Sequence, residues 1–148
     1  MSSHPRIASL DSLRPEMRPQ VRELLQRCPW MQIWEAHRTP ERQMYLHTKG
    51  PTVTKALPWQ SAHNWGMAVD CVFDPEVVVD LPTRLANGKA WPSLWDTSRQ
   101  DLRDLWIEYG EQAEALGLVW GGRWGRIVNG IGFDPPHVEH PAWKALTR

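Results

Sequence analysis

The stretch SAHNWGMAVDCVF, residues 61–73, decides how this chain is read. It changes character halfway along. Residues 61–66 are short, polar and end in glycine, the composition of a loop. MAVDCVF, residues 67–73, is rich in valine, carries a phenylalanine and reads as a β-strand. His63 then lies in the loop that enters the strand, and Asp70 lies on the strand itself. Gly66 and Ala68 are small enough to let neighbouring backbone approach.

Upstream, Leu13, Met17, Val21, Leu24 and Leu25 recur at helical spacing and predict a helix over 14–28, with Pro15 in its first turn and Pro29 ending it. MQIWEAH, residues 31–37, predicts a short strand. A helix over 40–48 follows, with Thr39 as N-cap, Pro40 at the first position and Gly50 past the end. Residues 51–62 read as loop. Downstream, residues 74–97 carry several prolines and the turn signal Asn87-Gly88, and read as a surface insertion. Leu102, Leu105, Trp106, Tyr109, Ala113 and Leu116 form one apolar stripe and predict a helix over 98–116, capped by Thr97 or Ser98 and closed by Gly117. LVW, a glycine-rich turn, a short segment through Val138 and a last helix over 141–146 complete the chain. Few helices with several short strands predict an α+β fold, a small antiparallel sheet flanked by helices. The 148 residues suit one domain, residues 1–148, with no separate second domain expected.

Composition narrows the function. Lys plus Arg is 17 and Asp plus Glu is 17, so no net positive charge draws the chain to nucleic acid. The start, MSSHPRIASLDSLRP, lacks the basic-then-apolar pattern of a secretory signal, and no apolar run approaches the roughly 20 residues that span a bilayer. The expectation is a monomer made in the cytoplasm, with no membrane insertion. Cys28 and Cys71 read as buried free thiols. Ten tryptophans serve either packing or a groove with aromatic walls.

The chemistry comes from two stretches. His63 and Asp70 lie in the first; FDPPHVEH, residues 133–140, supplies Asp134, His137, Glu139 and His140. Two imidazoles with one carboxylate make a catalytic zinc set that leaves a coordination position open. Zinc lowers the pKa of a water there toward about 7, and a further carboxylate must move its proton. Asp134 is the candidate, three residues before His137. Pro135 and Pro136 predict an extended, rigid connection between the two. Spacing alone leaves open that these are solvated or core residues.

SAHNWGMAVD resembles the SxHxxGxAxD motif of the D-Ala-D-Ala carboxypeptidase (VanY-like) metallopeptidases, which share a fold with the Hedgehog signalling domain. AHRTPERQMYLHTKG resembles their GYRSxxxQxxLYxxG segment, EALGLVWGGRW their AxxxGLxWGGxW segment, and FDPPHVEH their DxPHFE segment. Within the group the chain is most similar to phage L-alanyl-D-glutamate endopeptidase endolysins. The resemblance implies Zn2+ held by His63, Asp70 and His137, Asp134 as general base and then acid, and Arg38 as the cation steadying the scissile carbonyl. It implies hydrolysis of the L-alanyl-D-glutamate bond in the stem peptide of bacterial peptidoglycan, by a lysis protein that reaches the wall once the membrane is permeabilised. D-Ala-D-Ala carboxypeptidase activity and a non-catalytic zinc-holding module are the alternatives. Ser61 and Gln43 match the motif and orient substrate or serve local hydrogen bonding. Trp120 and Trp124 wall a substrate groove or line a turn beneath it. Glu139 is a candidate partner for a zinc histidine. His37 and Val138 depart from the family's aromatic residues, and neither is a predicted metal ligand.

Overall fold

The valine-rich half of the decisive stretch becomes one of the two inner strands of a four-stranded antiparallel sheet in the computed structural model, which describes residues 4–147. The strands are β1 (Met31–Glu35), β2 (Ala68–Phe73), β3 (Thr83–Ala86), β4 (Lys89–Pro92), β5 (Val119–Trp120) and β6 (His137–Glu139). The helices are α1 (Arg18–Arg27), α2 (Pro40–His47), α3 (Gln100–Ala115) and α4 (Trp143–Leu146). The main sheet runs β1-β2-β6-β5, and among the described residues β3 pairs only with β4. This is the expected α+β architecture.

Register places the chemistry. Asp70 pairs with Glu35 on one side and with His137 on the other. Residues directly opposite on neighbouring strands share a face, so three ionisable side chains stand in a row. β1 carries a bulge between Ile33 and Glu35, where one extra residue, Trp34, fits against β2. A bulge re-aims the residues after it, and here it turns Glu35 onto the face of Asp70. The opposite face of β2 buries Val69, Cys71 and Phe73, and Phe73 meets Trp106 of α3 at 4.7 Å between ring centroids. Cys28 and Cys71 are unbridged and fully buried, and burial pushes their thiols up to about 11 and about 12.

Several expected boundaries move. The first helix begins at Arg18 rather than 14, and Pro19, not Pro15, occupies its first turn. Thr39 does cap α2, accepting from the Arg42 backbone N–H at 3.1 Å. Neither Thr97 nor Ser98 caps α3; the Asp96 carboxylate instead accepts from Ser98 N–H and Oγ–H, at 2.9 and 2.7 Å, closing a turn before the helix. Gly117 ends α3 at φ +83, the left-handed conformation that glycine adopts without strain. The insertion is not irregular throughout. Asn87 and Gly88, both at positive φ, form the two-residue turn of a β-hairpin, whose twist matches that of the strands. Among the described residues no helix is long and apolar enough to cross a membrane.

Candidate metal centre

His63 arrives on a short 3-10 turn, Ala62–Trp65, rather than on open loop. Ser61 caps it: its Oγ accepts from the His63 N–H at 3.3 Å, while Asn64 Oδ1 accepts from the Ser61 N–H at 3.4 Å. Gly66 ends it at φ +70, with room limited by the Arg14 backbone nitrogen 3.1 Å from where a Cβ would stand. The His63 ring is then fixed by its Nδ1, 2.8 Å from the carbonyl oxygen of Ala36. A carbonyl only accepts, so Nδ1 carries the proton and Nε2 presents a lone pair. That Nε2 is buried without a hydrogen-bond partner among the described residues, 3.2 Å from Asp70 Oδ1. A buried polar atom left so is unusual and calls for a partner of another kind.

His137 completes the group. Its Nδ1 lies 3.2 Å from the same Asp70 Oδ1, and its Nε2 lies 2.8 Å from Glu139 Oε1. Glu139 is itself held, its Oε2 accepting from the Trp143 indole N–H at 2.9 Å. With a carboxylate at each nitrogen, His137 is held as an imidazolium. Burial opposes this, but Asp70 and Glu139 outweigh it and push the pKa up to about 10. Burial likewise works to raise Asp70, yet the two facing imidazoles hold it well below the usual carboxylate range.

The donor atoms of His63, Asp70 and His137 all lie within 4.8 Å of one another, the one such group among the described residues. A tetrahedral zinc with bonds of about 2.0–2.2 Å needs donors about 3.3 Å apart. The two 3.2 Å separations match that spacing, and the donor set of two imidazoles and a carboxylate suits zinc. The residues present therefore fit a metal ion, with Glu139 and Trp143 orienting one ligand from behind.

Asp134 and Arg38 flank the group in a cleft of about 1150 Å³. Burial raises the Asp134 carboxyl, Asp70 raises it further, and His137, His63 and Arg38 pull the other way. The connection between Asp134 and His137 is not extended. The His137 N–H donates to the Asp134 carbonyl at 3.2 Å, making a tight turn over Pro135 and Pro136. Proline's fixed φ suits a turn as well as extended chain. The turn is pinned twice: the Trp120 indole N–H donates to the Pro135 carbonyl and the Tyr109 hydroxyl to the Pro136 carbonyl, each at 2.7 Å. Gly121 closes in as well, since a Cβ there would stand 2.5 Å from the Asp134 carbonyl oxygen.

Two residues for which substrate contact was one of two expected roles are placed away from the cleft. Trp120 is 1% exposed and packs in the core between Gly110 and Gly122, either of which would put a Cβ 2.2 Å from its ring. Gln43 is fully buried, its Oε1 accepting from Arg38 Nη1 at 3.0 Å and its Nε2 donating to the Ala56 carbonyl at 2.8 Å. Trp124 and Ser61 do line the cleft, and the Trp124 ring sits 5.0 Å from that of His137. Trp34, Trp95 and Trp143 line it too. Sequence reasoning passed over Glu35, Arg42 and Trp143.

Residues 54–140 match the family described as D-alanyl-D-alanine carboxypeptidase, of peptidase family M15. The chain belongs to that family. Peptidoglycan L-alanyl-D-glutamate endopeptidase CwlK of Bacillus subtilis is 30% identical to this M15 chain over 112 residues, covering 72% of the chain and 58% of CwlK. The chain thus spans little more than half of that curated relative. Among solved structures, L-Ala D-Glu endopeptidase ChiX of Serratia marcescens superposes with a TM-score of 0.60 at 18% identity, covering 97% of this chain and 95% of ChiX. The vancomycin-resistance D,D-pentapeptidase VanY from the VanB-type cassette, solved with Zn(II), gives 0.52 at 16% identity over 91% of this chain and 76% of VanY. Both likenesses are of fold.

Proposed function

We propose that this M15 chain is a zinc-dependent peptidase of bacterial peptidoglycan that hydrolyses the bond between L-alanine and D-glutamate in the stem peptide. The observation that carries the reading is the unpartnered, buried Nε2 of His63 facing Asp70 and His137 at metal-ligand spacing. The bond is taken from the names of CwlK and ChiX. Host lysis after membrane permeabilisation is the matching role, from the sequence resemblance to endolysins.

His63 Nε2, Asp70 Oδ1 and His137 Nδ1 would hold the ion. When bound, zinc supplies Lewis acidity and brings the pKa of a water at its open position toward about 7. Asp134 takes a proton from the attacking water and returns it to the leaving amine, a task suited to a carboxylate whose pKa burial has raised. Arg38 offers N–H donors to the carbonyl oxygen as negative charge develops there. Trp124 and Ser61 border the space the peptide would occupy.

Incubation of the purified protein with peptidoglycan, followed by mass analysis of the products, tests the assignment. New termini at L-alanine and D-glutamate are expected, with loss of activity on chelation and recovery with zinc. The family's description as D-alanyl-D-alanine carboxypeptidase favours a second reading, in which free D-alanine is released instead. A module that holds zinc and cleaves nothing would yield neither product.

A further inference from the structure

Arg38 is 8% exposed and its guanidinium is held on three of its five N–H groups. Nε and Nη2 both donate to Glu35 Oε1, at 3.2 and 2.7 Å, and Nη1 donates to Gln43 Oε1 at 3.0 Å. One N–H remains on each terminal nitrogen. Nη2 also stands 3.8 Å from Asp70 Oδ2, so this end of the fork faces the metal group. The flat guanidinium cannot swing without breaking contacts on two sides.

Glu35 is fixed in turn. It is 3% exposed, and its second oxygen, Oε2, accepts from Arg42 Nε. Arg42 is tethered by Nη1, which donates to the His4 carbonyl at 3.0 Å. The bulge at Trp34 brings Glu35 onto this face, and cross-strand pairing with Asp70 sets its height along the sheet. One buried carboxylate thus receives two guanidiniums, with only one oriented toward the cleft.

We infer that Glu35 is a positioning residue that aims Arg38 at the substrate carbonyl, with Arg42 and Gln43 fixing the aim from behind. The inference rests on the reading of Arg38 as the cation that steadies that carbonyl. Burying a carboxylate among cations costs solvation that a surface arginine would not incur. What it secures here is direction: a guanidinium whose free donors are already oriented needs no reorganisation as charge develops.

The test is a double-variant cycle with zinc content measured for each protein. Arg38→Gln is expected to lower kcat about 100-fold or more, as loss of an oxyanion donor does. Glu35→Gln, with Arg38 intact but unaimed, is expected to lower kcat about 10- to 100-fold with KM and zinc content unchanged, the range typical of supporting residues. The double variant should be no slower than Arg38→Gln alone. Factors that multiply in the double variant would mean that Glu35 acts independently of Arg38 and would overturn the inference. A readout on the unaltered protein stands apart from activity and from the folding of variants. The Arg38 Nε–H, followed by nitrogen-15 NMR, is expected to exchange with solvent at least about tenfold more slowly than those of exposed arginines, because it is buried and bonded. Equal exchange would overturn the inference. If the parent released no fragment from peptidoglycan, the functional reading would fail, while the exchange measurement would still decide whether Glu35 holds Arg38.

Discussion

Glu139→Gln isolates what the residue behind a proposed metal ligand contributes. The Glu139 carboxylate accepts two N–H groups at once, from His137 Nε2 at 2.8 Å and from Trp143 Nε1 at 2.9 Å. Glutamine keeps the shape but has one acceptor oxygen, and its amide nitrogen faces a donor. At least one of the two hydrogen bonds is lost. A hydrogen bond to a charged group contributes about 1.5–3 kcal/mol, so zinc affinity should fall about tenfold to a hundredfold. An opposing effect narrows the range. The same carboxylate helps hold the proton that zinc must displace from His137, whose pKa is pushed up to about 10 without metal. Its removal eases that competition, which sets the net loss at pH 7 near the lower end, about tenfold. Competition titration against a chromophoric chelator at pH 7 and pH 9 measures both effects. The parent should gain about tenfold in affinity per pH unit, one proton leaving per ion, and the variant should gain less. A variant that holds zinc as tightly as the parent at both pH values would refute the role given to Glu139.

Asp134→Asn should keep zinc and lose about 100- to 10,000-fold in kcat, the range of a general acid–base group, read by metal analysis beside a turnover assay. Gly121→Ala would place its Cβ 2.5 Å from the Asp134 carbonyl oxygen and 3.1 Å from the His137 Cβ. It should lower stability by about 1–3 kcal/mol in denaturant unfolding and displace both residues enough to reduce turnover at least about tenfold. The metal-free protein should show a Tm that depends on pH at both ends. The raised His137 contributes stability that is complete below its ordinary value of 6.5 and lost as pH rises through about 10. The depressed Asp70 contributes stability present above its ordinary value of 3.8 and lost as pH falls through its lowered value. A Tm that climbs between pH 7 and pH 10 in chelated protein would contradict the ion pair.

The grouping of His63, Asp70 and His137 was legible through the resemblance of their two stretches to the family motifs, since spacing alone left solvated or core roles open. Valine-rich chain fixes Asp70 on a strand, and a histidine one strand away reaches it through ordinary cross-strand pairing. The roles of Trp120 and Gln43 were not legible. Whether a tryptophan in a glycine-rich segment faces solvent or core depends on what lies opposite, and here Gly110, ten residues upstream in a helix, makes the space. Glu35 was hidden by the bulge at Trp34, since strict alternation along β1 would assign it to the wrong face. The Pro135–Pro136 turn was misread as extended because proline's φ serves both conformations, and the choice came from Trp120 and Tyr109 pulling on the carbonyls.

The hairpin of β3 and β4 stands outside the packed body. Leu85 is 80% exposed and Trp91 51%, and among the described residues the two strands pair only with each other. At its root the Ser93 N–H donates to the Pro82 carbonyl at 2.7 Å, so chain leaves and returns at nearly the same point. Length changes between those two residues need not disturb Leu94, whose carbonyl holds the Phe73 N–H at 3.2 Å. The molecule thus carries a grafting point, where a foreign loop or an appended recognition module could be spliced in while the catalytic architecture keeps its shape.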